Sequence, residues 1–187
     1  MRARILLVLA LAATPVISAW GDERPLTKPS RDVDVVYRMM QPAGPGRARV
    51  LEQRMRWAVA DGKLRVDPPA KGLYLIMDMR THRVATVRVS ERVVLEIGSS
   101  QAAMEPGAAG ARFARRGDDH VAGLPCTEWE TKDTMGEDTL VCLTPDGVML
   151  RAAAAGHVLL EAASVTYGAQ DPAVFMIPEG YTKVAPK

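Results

Sequence analysis

Apolar and polar side chains alternate with a period of two along much of this chain, and that pattern restricts the fold more than any motif does. In residues 49–59, Leu51, Met55, Trp57 and Val59 fall on one parity while Glu52, Arg54 and Arg56 fall on the other. A strand sends successive side chains to opposite faces, so this pattern predicts a strand with one buried face. Val33, Val35, Tyr37 and Met39 alternate in the same way with Asp32, Asp34 and Arg38. The Gly/Pro-rich stretch 41–46 breaks that strand, and Asp61-Gly62 is a favoured hairpin turn pair.

The pattern continues as short strands separated by tight turns. Residues 64–66 form one strand, ended by Pro68-Pro69. Residues 73–79 are apolar on nearly both parities, which predicts a central strand. Turns at 80–83 and 90–92 lead into strands 84–89 and 93–97. Strands resume near Phe113, then at 126–132, 139–144, 148–154 and 157–167. Ala152–Ala155 could be helical, but Gly156 and the flanking pattern favour a hairpin. The expected fold is one mainly β domain, a meander of antiparallel strands. Residues 99–104 could make a short helix stopped by Pro106-Gly107. The stretch 99–112 is read either as a lid or as a plain surface loop.

The beginning of the chain reads differently. Arg2 and Arg4 precede an apolar run from Ile5 to Ala13, and Ser18-Ala19 offers a small-residue cleavage point before Trp20. This pattern predicts a signal peptide over 1–19, hence export and a periplasmic location. The run is short for a membrane span, which needs about 20 apolar residues. Residues 20–30 read as an extended leader and 31–185 as the single β domain. Removing Arg2 and Arg4 leaves 22 Lys plus Arg against 22 Asp plus Glu. A chain of no net charge lacks the basic footprint that nucleic-acid binding requires.

In an oxidising compartment, Cys126 and Cys142 predict one disulfide. If Cys126 pairs opposite Cys142 in a hairpin, Thr127 faces Val141 and Trp129 faces Thr139. Trp129, Val141 and Leu143 then share the buried face, and both cysteines share the other with Glu128 and Glu130. Closing so short a loop contributes about 3 kcal/mol. With no C-x-x-C, the bridge is structural rather than redox-active.

Catalytic chemistry is hard to find. The nucleophile elbow, the phosphate loop and the dinucleotide fingerprint are all missing from the sequence. Asp118-Asp119-His120 is the one cluster that resembles an acid–base or metal site, and a polar turn between strands is the simpler explanation of it. No catalytic residue, metal ligand or cofactor is expected. Methionine is more suggestive: Met39, Met55, Met77 and Met79 fall on apolar parities, and methionine suits surfaces that accept varied apolar partners. Taken alone, the same residues are more simply read as core filler.

Several segments together resemble the LolA-like superfamily of periplasmic lipoprotein carriers, and within it an uncharacterised branch. They are the strand 49–59 with Asp61-Gly62-Lys63-Leu64-Arg65-Val66, and Leu75-Ile76-Met77-Asp78-Met79-Arg80-Thr81. Val121-Ala122-Gly123-Leu124-Pro125-Cys126 matches a V-x-G-x-x-C pattern, and Phe175-Met176-Ile177-Pro178-Glu179-Gly180-Tyr181 matches a closing F-x-x-P-x-G-Y signature. The resemblance implies a curved antiparallel sheet, an incomplete β-barrel whose concave face holds acyl chains. Where the carriers have a Lys-Arg-Pro turn, this chain reads Ala60-Asp61-Gly62, and their N-terminal helix is not evident.

The function expected from these features is non-enzymatic binding of a lipid, an acyl chain or a lipidated protein partner by a monomer, with peripheral contact to membrane lipid. Leu51, Met55, Trp57, Leu75, Met77, Met79, Val87 and Trp129 are the expected groove lining. Two other readings stand beside it: an envelope protein-interaction or stress-sensing module with a filled core, and a hydrolase using Asp118, Asp119 and His120.

Overall fold

The computed structural model describes residues 24–44, 47–98, 112–133 and 135–184. The signal peptide expected over 1–19 and nearly all of the 99–112 stretch lie outside the described residues. Within them, twelve strands form one sheet: β1 (Val33–Pro42), β2 (Ala48–Ala58), β3 (Lys63–Asp67), β4 (Leu73–Asp78), β5 (Arg83–Arg88), β6 (Val93–Ile97), β7 (Ala114–Val121), β8 (Leu124–Lys132), β9 (Asp138–Leu143), β10 (Met149–Ala154), β11 (His157–Tyr167) and β12 (Thr182–Val184).

Two antiparallel meanders share a seam. The first steps outward from β1 to β6, the second from β11 back to β7, and β1 pairs with β11. The sheet stays open, with β7 at one edge and β12 at the other. Turn chemistry explains the meanders. The loops 59–62, 79–82 and 89–92 each end on a left-handed residue, Gly62, His82 or Arg92, with φ of +65°, +53° and +52°. Two-residue loops, Ala122-Gly123 and Ala155-Gly156, have both residues at positive φ, the type I′ geometry that matches strand twist.

The expected disulfide joins Cys126 to Cys142, but the register differs from the expected one by two residues. Glu128 pairs with Cys142, Thr127 with Leu143 and Trp129 with Val141. The cysteines are diagonal neighbours with Cα atoms 5.5 Å apart. The β8–β9 loop sets this register. Asp133 N–H donates to the Glu137 carbonyl at 2.9 Å, and its carboxylate accepts from the N–H groups of Met135 and Glu137 at 2.8 and 2.9 Å. A five-residue loop between Lys132 and Asp138 shifts every pair by two and preserves parity, so Trp129, Val141 and Leu143 do cluster on one face.

The central strand β4 is apolar on both sides because both sides are used. Tyr74 and Ile76 form a core with Val87 and Val94, against which Ile177 and Tyr181 pack. After β11, a 3₁₀ turn (Pro172–Phe175), capped by the Asp171 carboxylate, seats Phe175 at 4% exposure. Arg65 donates to the Val174 carbonyl at 2.8 Å and stacks 3.8 Å over the Tyr74 ring. Gly180 then turns at φ +75° and β12 pairs in parallel with β6. The F-x-x-P-x-G-Y signature thus ties the C-terminal segment across one face of the sheet.

Candidate functional site

The other face carries the candidate site. Across β1 to β6 the register is unbroken, so each row of partners shares a face. One row runs Val35, Met55, Val66, Leu75, Thr86, Leu95; the next runs Val33, Trp57, Leu64, Met77, Val84, Ile97. A third crosses the seam: Leu51, Met39, Leu160, Ala152, Val141, Trp129. Of the expected lining residues, Leu51, Met55, Trp57, Leu75, Met77 and Trp129 therefore share this inner face.

Val87 does not. It is the register partner of Tyr74 and Val94 and is 0% exposed in the core beneath the C-terminal segment. One-residue parity separates it from Thr86, which faces inward. Met79 lies in the loop after β4, where its N–H donates to the Gly62 carbonyl at 2.7 Å.

The inner face is concave. Met55 and Trp57 on β2 and Val141 and Leu143 on β9 line one pocket of ≈ 90 Å³. A flat sheet would hold β2 and β9, four strand spacings apart, roughly 19 Å from each other. Only a bent sheet brings them to one small cavity. Tyr37, Thr131 and Met149, on strands, and Phe113, just before β7, complete the walls. None of these joined the expected set, although Tyr37 shows the same period-two parity and Val141 and Leu143 follow from the parity of Trp129.

Thr27 and Pro29 also line the pocket, together with Gly147 and Val148. Residues 24–31 form an extended strap held by the β9–β10 turn. Ser30 N–H donates to the Asp146 carbonyl at 2.9 Å. The Asp146 carboxylate accepts from Arg31 Nε at 2.8 Å, Thr144 Oγ1 at 2.6 Å and the Tyr167 hydroxyl at 3.1 Å. Partial burial opposes its charge, but the donors Thr144, Arg31 and Tyr167 outweigh that and hold the carboxyl below the usual aspartate range.

Among the described residues no carboxylate, amine or imidazole lines the pocket. Its phenol, Tyr37, donates to the Met149 carbonyl at 2.8 Å, and burial pushes its ionisation well upward. What such walls offer is apolar burial, worth about 25 cal/mol per Å².

Asp118, Asp119 and His120 are not brought together as a reactive cluster. Asp118 accepts from Arg115 at 2.6 Å and Thr127 at 3.0 Å; Asp119 takes Arg151 at 2.5 Å and the His120 N–H at 2.7 Å. The Arg115 bond lowers the Asp118 pKa and the Arg151 bond lowers that of Asp119, the opposite of a carboxyl held ready as an acid. Among the described residues no group of three metal-ligating side chains converges.

No family model and no curated protein matches the chain. Solved structures do. An uncharacterised conserved protein from Thermus thermophilus is 11% identical over 84% of this chain and 91% of its own, with a TM-score of 0.60. MucB is 12% identical over 85% of this chain and 61% of its own, with a TM-score of 0.53. A LolA superfamily protein from Nitrosomonas europaea is 9% identical over 81% and 92%, with a TM-score of 0.42. The fold is the one shared with the Thermus protein and with MucB. At these identities the likeness is one of architecture alone, so chemistry has to be read from the side chains on this sheet.

Proposed function

We propose that this chain is a non-enzymatic periplasmic binding protein whose inner sheet face holds an acyl chain, free or attached to a partner. The observation that carries this reading is the pocket between the strap, β2 and β8–β10, walled by Met55, Trp57, Val141, Leu143 and Met149 and, among the described residues, free of ionisable groups other than the Tyr37 phenol. Leu51, Leu75, Met77 and Trp129 extend the same apolar face and form the rest of the proposed lining. A disulfide and the export-type pattern of residues 1–19 support the envelope location.

Protein purified from a periplasmic extract should carry co-extracted lipid detectable by mass spectrometry and should bind fluorescent fatty acids once delipidated. An empty protein that also fails to bind those probes rejects the proposal.

One observation favours the second reading, a protein-interaction or stress-sensing module with a filled core. The pocket walls stand close, and ≈ 90 Å³ is below the few hundred Å³ of ordinary small-molecule sites. Capture of a stoichiometric protein partner from envelope fractions, without lipid, would decide for it.

A further inference from the structure

The apolar pocket is not isolated. Phe113 and Thr131 form its wall and also the wall of a neighbouring cleft of ≈ 550 Å³, lined in addition by Arg112, Ala114, Glu130, Lys132 and Asp138. Among the described residues, one cavity has no charged group and the other is rimmed by four. Phe113 is held at the junction by an edge-on contact to Trp129, with ring centroids 6.4 Å apart and planes at 89°.

The charges in the cleft are unequal in availability. Lys132 Nζ is committed to Asp138 at 2.6 Å and to the Gly136 carbonyl at 3.2 Å. Glu130 is committed to Arg116. Both acids are thereby neutralised, while Arg112 is exposed and makes no ion pair among the described residues. At the junction, Thr131 Oγ1 is buried and has no hydrogen-bond partner among the described residues. Buried hydroxyls are ordinarily partnered, so an orphaned one at a cavity wall marks a place where a ligand oxygen gains a bond.

We propose that this cleft is the head-group site for the ligand of the pocket, and that the ligand is a single-tailed amphiphile with an anionic head. The tail enters between Phe113 and Met149, the head-group oxygens meet Thr131 Oγ1, and the Arg112 guanidinium pairs with the anion. A planar guanidinium fork fits the oxygens of a carboxylate or a phosphate equally. This inference rests on the acyl-binding reading above.

The test compares hexadecanoate, hexadecyl phosphate and hexadecanol, titrated into the delipidated full chain and followed by tryptophan fluorescence and calorimetry. The anions should bind about five- to tenfold more tightly than the alcohol at low salt, as expected for one partly exposed charge-assisted contact. Arg112→Ala should bring both anions to the level of the alcohol and leave alcohol binding unchanged, while Arg112→Lys should keep part of the preference. The anion that gains more identifies the head group as carboxylate or phosphate. Equal binding of all three ligands by the wild type, or a preference that survives Arg112→Ala, overturns the head-group site alone. Failure of all three to bind overturns the acyl-binding reading with it.

Discussion

Gly147 and Lys28 are in direct backbone contact: a Cβ on residue 147 would overlap the Lys28 carbonyl oxygen and stand 2.7 Å from its carbonyl carbon. Gly147 also sits at φ +87°, where a side chain is strained in any case. The strap therefore reaches the β9–β10 turn only because residue 147 has no side chain. Gly147→Ala should cost about 2 kcal/mol and speed proteolysis within residues 24–31. Guanidinium melts and timed digestion would check both; unchanged values would mean the strap is not seated there.

Asp146 makes the strap contact sensitive to acid. Its folded pKa is depressed below the ordinary value of 3.8, so its contribution is complete above that value and is lost as pH falls through the lower folded value. Asp146→Asn should therefore lose less stability than the wild type between neutral pH and pH 3. Parallel slopes for the two proteins would contradict this.

Removing the bridge between Cys126 and Cys142, 16 residues apart, with a double serine variant should cost about 3 kcal/mol through the larger entropy of the unfolded chain. Thiol titration of the oxidised protein in denaturant should find no free thiol. Two reactive thiols would refute the bridge.

Ala122 and Ala155 stand at φ +51° and +49°, each just before a glycine in a two-residue loop. Asparagine tolerates this left-handed geometry better than alanine. Ala122→Asn and Ala155→Asn should each raise stability by about 0.5–1 kcal/mol, measured as a higher denaturation midpoint with an unchanged slope.

Phe175 anchors the C-terminal segment that covers Tyr74, Ile76, Val87 and Val94. Phe175→Ala should cost about 3 kcal/mol and expose β6 amides to hydrogen exchange as β12 detaches. Protection of β6 equal to that of the wild type would show that β12 holds without it.

Period-two parity makes most of the strands legible, since each strand has to present one consistent face to the core. It also makes Trp129, Val141 and Leu143 readable as a group, because a register shift of two leaves parity untouched. The shift itself arises in the β8–β9 loop: the hydrogen bonds around Asp133 decide how many residues the turn consumes, and alternation is blind to that number. Val87 escapes the sequence reading for a related reason. In a sheet with both faces buried, apolar residues occupy both parities, and composition cannot say which face remains for a ligand.

The amino-acid order alone determined that this chain would be an antiparallel sheet with a cross-linked hairpin, because local alternation, turn residues and cysteine parity act over a few residues. Only the tertiary structure decided which face is concave, that β2 and β9 meet at one pocket, and that a strap passes over Gly147. Those depend on the bend of the sheet and on contacts between segments distant in the chain, where no local pattern carries the information.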